Sequence, residues 1–193
     1  MHFVQVPAGL SMLTNLEFLD ISSNAFANVD TDFSTMTRLQ TLKIRNYLGT
    51  QFPTVMVLSD TIANLQSLTE LDLMHSTLQE LPEALGELRS LTKLEVSNCG
   101  ISQLPASITQ LSQLQTLILA RNLLQVLPAD LGILQNLTYM DLYGNAINAL
   151  PRSIMCLPQL KWLYYDVATM TTIEPGFDTF ILSSSTTLNE WNP

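Results

Sequence analysis

Leu111-Ser112-Gln113-Leu114-Gln115-Thr116-Leu117-Ile118-Leu119-Ala120-Arg121-Asn122-Leu123-Leu124-Gln125-Val126-Leu127-Pro128-Ala129-Asp130-Leu131 is the stretch that decides the fold. It holds two different signals in a fixed order. Leu117-Ile118-Leu119 alternates with period two, so one side of an extended segment points inward and the other outward. Ten residues after Leu117, the Leu127-Pro128 pair fixes φ and breaks regular pairing, sending the chain back along the opposite side. The following rung repeats the scheme with Leu134, Leu137, Met140, Leu142, Asn145, Ile147, Leu150, Pro151 and Ile154.

The spacing extends in both directions. Leu68, Leu91, Leu114, Leu137 and Leu160 are each 23 residues apart, as are Leu16 and Leu39, and only the step from Leu39 to Leu68 differs, at 29. Turns of equal length place their strands in register, and a rung too small to bury its own apolar side buries it against its neighbours. The asparagine column, Asn24, Asn122 and Asn145, marks where the chain leaves the strand, with Ser76, Cys99 and Ala168 in the same column elsewhere. A short amide there satisfies backbone groups that an irregular interior turn would otherwise strand.

This pattern resembles the leucine-rich repeat family, in its typical 23-residue subclass with a Leu-Pro-x-x-Ile/Leu second half, like the intracellular Ras-suppressor-type and plant intracellular members. The resemblance implies an α/β-type solenoid: a horseshoe with a parallel sheet on the concave face and irregular, 3-10 or short helical segments on the convex side. Residues 1–173 form the expected solenoid, about seven rungs after a partial first one, with an insertion near 45–57. Residues 174–193 form the expected C-terminal cap segment. In the insertion, Phe52, Val55 or Val57 is expected to fold back into the core. Aligning Pro7 with Pro128 puts Met1 in the asparagine column, so the strand of residues 16–22 is expected to be an open edge, available for self-association or an upstream rung.

Composition narrows the function. The 193 residues include 17 acidic and 8 basic side chains, a net charge of -9, which excludes a phosphate-neutralising nucleic-acid surface. Charged residues are only 13% of the chain, the hydrophobic share is 47%, and leucine alone occurs 36 times. No apolar run is long enough to span a bilayer, so no membrane insertion is expected. The first seven residues read neither as a leader nor as an anchor. Two cysteines make no disulfide framework, which favours the cytoplasm, with secretion left open. Cys99 and Cys156 stand two rungs apart, too far to pair. His2 and His75 lack partner ligands at metal spacing, no phosphate loop or nucleophile elbow is present, and no cofactor or enzyme activity is expected. Asn136-Leu137-Thr138 matches a glycosylation sequon that the repeat itself generates.

Specificity is therefore sought on the outward columns of the sheet. The column before the strand centre runs Phe18, Thr41, Glu70, Lys93, Thr116, Tyr139, Trp162. The central one runs Asp20, Lys43, Asp72, Glu95, Ile118, Asp141, Tyr164. Nothing in the repeat requires these residues. Four of the five tyrosines lie between 139 and 165, and exposed Tyr and Trp dominate interfaces. The expected partner site is Tyr139, Asp141, Tyr143, Trp162, Tyr164 and Asp166, bordered by Arg121 and Ile118. Glu70, Asp72 and Glu95 form a secondary acidic patch. The resemblance implies a protein–protein interaction scaffold in signalling whose partner is a protein or peptide, and the site suits one with Lys or Arg. The alternative is the ligand-sensing repeat portion of a larger receptor, kinase or GTPase-linked protein.

Overall fold

Each Leu-x-Leu-type motif gives a strand of three residues centred on its first apolar residue, and the second apolar residue follows just beyond the strand, still buried in the middle rungs, as the chain leaves the sheet. The computed structural model describes residues 6–166, apart from 25, 27, 30–32, 47–54 and 79. The strands are β1 (Phe18–Asp20), β2 (Asn28–Val29), β3 (Thr41–Lys43), β4 (Val57–Leu58), β5 (Glu70–Asp72), β6 (Lys93–Glu95), β7 (Thr116–Ile118), β8 (Tyr139–Asp141) and β9 (Trp162–Tyr164). Seven of them form one parallel sheet in the order β1-β3-β5-β6-β7-β8-β9. Its register follows the repeat: Leu94 pairs with Leu117, and Leu117 with Met140. The convex side carries 3-10 turns at Ala8–Met12, Asp60–Asn64, Glu83–Glu87, Ala106–Gln110, Leu131–Ile133 and Arg152–Cys156. Pro82, Pro105 and Pro151 start three of them, where a residue without an N–H costs no helical bond. Between the two sides lies one continuous core of leucines, as the horseshoe reading requires.

The turn after each strand has its own machinery. Asn122, 5% exposed, donates from Nδ2 to the carbonyls of Val96 (2.7 Å) and Leu119 (2.9 Å). Its Oδ1 accepts from the N–H groups of Cys99 (3.0 Å) and Ile101 (3.3 Å). Asn145 repeats the arrangement one rung on, bonding Leu119, Leu142 and Leu124. Ser76 donates to the Ile44 carbonyl, and Cys99 to those of Leu73 and Ser97. The residue just before this column takes a positive φ in five rungs: Ser23, His75, Asn98, Arg121 and Gly144. That left-handed step turns the chain inward towards the amide.

Two expectations on the insertion and the ends need revision or fall outside the description. Val55 and Val57 do not enter the core; they are 49% and 44% exposed, while Met56 and Leu58 are buried. The reason is a second small parallel sheet, in which β4 pairs with β2 and alternation sends the valines outward. Phe52, Ala168 and the cap at 174–193 lie outside the described residues, as does Met1. Within the described residues β1 is the outer strand of the large sheet, and Met12, Leu13 and Phe18 beside it are exposed.

Candidate concave recognition site

Parallel rungs about 4.8 Å apart set residues of equivalent register side by side. Tyr139 accordingly pairs with Trp162, and Asp141 with Tyr164, across β8 and β9. Trp162 is 40% exposed, whereas Tyr139, Tyr143 and Tyr164 are half-buried. The Tyr139 ring leans diagonally on Tyr164, with centroids 5.5 Å apart and planes inclined at 42°. These rings form an apolar floor over β8 and β9, edged by Ile118 on β7.

The carboxylates around that floor have different tasks. Asp141 Oδ1 accepts the Tyr143 N–H at 3.0 Å, and Asp20 and Asp72 make the same bond to Ser22 and Met74. Three aspartates of the central column thus close the strand end, which corrects the expectation that the repeat requires none of these side chains. Asp166 Oδ2 accepts from the N–H groups of Gly144 (2.6 Å) and Asn145 (3.3 Å), so it braces the preceding turn. Burial pushes the Asp141 carboxyl above its usual range and nearby Asp166 adds to this, against the Tyr143 bond and the Arg121 charge. Glu95 is raised as well, first by burial and also by Asp72, although Ser97 and Lys93 oppose it. The Tyr139 hydroxyl is pushed up to about 12 by burial, with Asp141, Tyr164 and Glu95 adding to it.

The other half of the concave face is internally compensated. Lys93 bonds Glu70 at 3.0 Å, Lys43 lies 3.7 Å from the same carboxylate, and Lys43 also sits 5.6 Å over the Phe18 ring. Asp72 is only 1% exposed; Arg45 covers it, with Nε 2.6 Å from Oδ2. The expected secondary patch of Glu70, Asp72 and Glu95 is therefore divided. Asp72 is a buried ion-pair member, Glu70 belongs to the two lysines, and Glu95 acts on Tyr139 across β7. Arg45, which follows its strand by two residues and sits at the start of the insertion, was not among the expected site residues.

No group of three or more potential metal ligands exists among the described residues, and no helix there is long and apolar enough to cross a membrane. Cys99 is buried with its thiol pushed up to about 12 by desolvation, so it is no nucleophile. A groove of about 700 Å³ lies away from the aromatic floor, lined by Leu81, Pro82, Leu104 and Pro105 and by Glu80 and Glu83. Glu83 is committed there, accepting the N–H groups of Ala106 and Ser107 at 3.0 and 2.9 Å. The concave floor offers half-buried tyrosine rings, the exposed Trp162 and the Asp141 carboxylate, which has no ion-pair partner among the described residues.

Residues 110–165 match the family described as leucine rich repeat, residues 21–99 that described as R13L1/DRL21 LRRs, and residues 90–111 a further leucine rich repeat family. Among solved structures, a leucine-rich repeat protein of Leptospira interrogans is 27% identical with a TM-score of 0.78, over 96% of this chain and 47% of its own. An internalin of Listeria monocytogenes is 26% identical (TM-score 0.64, 82% of this chain and 44% of its own). The plant peptide hormone receptor RGFR1, solved with RGF2, is 26% identical (TM-score 0.58, 84% and 30%). The chain spans less than half the length of each. No curated protein matches it significantly.

Proposed function

This chain belongs to the leucine-rich repeat proteins, and from that premise we propose that it is a non-enzymatic scaffold binding a protein or peptide on the C-terminal half of its concave face. One observation carries the reading. Across β7, β8 and β9 the outward positions hold exposed Trp162, the paired rings of Tyr139 and Tyr164, and a carboxylate, Asp141, without an ion-pair partner among the described residues. Rigid aromatic area ringed by polar groups is the composition of binding hot spots. That the plant peptide hormone receptor RGFR1 was solved in complex with RGF2 supports a protein or peptide as the partner. The reading includes a cytoplasmic signalling adaptor of the 23-residue subclass, in keeping with the unpaired thiols of Cys99 and Cys156. Spanning under half of each neighbour's length favours a second reading, the sensing portion of a larger receptor, kinase or GTPase-linked protein, which would use the same floor.

Selection of displayed random peptides against the purified chain tests the site. Peptides recovered should lose affinity by about 2 kcal/mol or more with Trp162→Ala, and further with Tyr139→Ala. Both variants should remain folded, since neither side chain lies in the leucine core. Selected peptides indifferent to the double variant would show that the concave floor is not the binding surface.

A further inference from the structure

We propose that Glu95, Tyr139, Asp141 and Tyr164 form a receptor for one arginine side chain of the partner. This deepens the scaffold reading and rests on it. Glu95, Ile118 and Asp141 are consecutive in one row, on β6, β7 and β8, so the two carboxylates stand on either side of Ile118. Across two strand spacings their backbones are about 10 Å apart. The inclined rings of Tyr139 and Tyr164 lie beside that row. Neither carboxylate has an ion-pair partner among the described residues. Lys93, the nearest lysine by register, is bound by Glu70 at 3.0 Å, and Arg121 acts on Asp141 without forming an ion pair.

Several valences remain open. Asp141 uses Oδ1 for the Tyr143 N–H, leaving its second oxygen available, and no hydrogen bond engages the Tyr139 hydroxyl among the described residues. Burial is the first cause that raises Asp141, Glu95 and Tyr139, with neighbouring acidic groups adding to it. Lys93 and Arg121 oppose it only from a distance, without an ion pair to either carboxylate. A guanidinium resolves this arrangement better than an ammonium. Its donors point from opposite edges of a plane, so it meets carboxylates on two sides while its face rests on a tyrosine. A lysine ammonium is a point charge that reaches one side. The chain's net charge of -9 adds long-range attraction for such a group.

The test uses the isotopically labelled full chain and N-acetyl-arginine amide, followed by amide chemical shifts at low salt. Saturable shifts centred on Glu95, Ile118, Tyr139 and Asp141 are expected, with N-acetyl-lysine amide binding about threefold more weakly or worse. Glu95→Gln combined with Asp141→Asn should weaken arginine binding about tenfold, while its melting temperature stays at or above the parent's, so that the loss is not one of folding. Equal binding of the two amides, shifts centred on Glu80 and Glu83 instead, indifference to the double variant, or no saturable shift would each overturn the proposal. If it fails while selected peptides still depend on Trp162, the scaffold reading stands without the arginine; if that dependence fails too, both go.

Discussion

Replacing Asn122 by alanine should be among the costliest single changes outside the leucine core. Its amide bonds four backbone groups, the carbonyls of Val96 and Leu119 and the N–H groups of Cys99 and Ile101. Leu119 keeps a partner, because the Asn145 amide donates to the same carbonyl at 2.9 Å. Three groups are left: the Val96 carbonyl, the Cys99 N–H at 3.0 Å and the weaker Ile101 N–H at 3.3 Å. At about 1 kcal/mol for each stranded buried group the loss is about 3 kcal/mol. For a chain of this length that lowers the melting temperature by about 6–12 °C. Urea unfolding of Asn122→Ala beside Asn24→Ala separates burial from mere hydrogen bonding, since Asn24 is only half-buried and should cost less. Asn122→Asp should also fail to restore stability, because a carboxylate cannot donate to Val96 and Leu119. A loss below about 1 kcal/mol for Asn122→Ala would mean that water replaces the amide, and the account of the column as a buried backbone ladder would be refuted.

Arg45→Ala strands the Asp72 carboxylate in the interior and should cost about 3 kcal/mol by thermal or urea unfolding; the double variant with Asp72→Asn should recover part of it. Gly144→Ala should destabilise by about 1–2 kcal/mol, because the position has φ +73° and an added Cβ would lie 3.1 Å from the Arg121 Cα. Asp141 and Glu95 hold their protons more tightly folded than unfolded, so the stability linked to them is full below their ordinary values of 3.8 and 4.5 and is lost as pH rises through the higher folded values. Asp141→Asn, which keeps an acceptor for Tyr143, should therefore raise the melting temperature at pH 7 and not at pH 3; an equal gain at both would refute the burial account.

The sequence alone carried the solenoid. A 23-residue period in leucine, a period-two motif inside it and a Leu-Pro return dictate parallel strands in register, and Tyr139 beside Trp162 follows from counting. The asparagine column was equally legible, because only a short amide serves buried donors and acceptors together. Periodicity says which positions face outward but not what their side chains reach, and there the tertiary structure decided. Arg45 folds over Asp72 from a different rung, so an apparent surface carboxylate became a buried ion pair. Val57 alternates with Leu58 against β2, a pairing outside the repeat, so it faces solvent. Glu95 read as part of an acidic cluster with its sequence neighbours in register. The ion pairs to Lys43, Lys93 and Arg45 removed those neighbours, and register leaves Glu95 in one row with Ile118 and Asp141 of the aromatic floor. Backbone register is set by repeat length, whereas charge pairing depends on side-chain reach across rungs, a distance that exists only once the chain is folded.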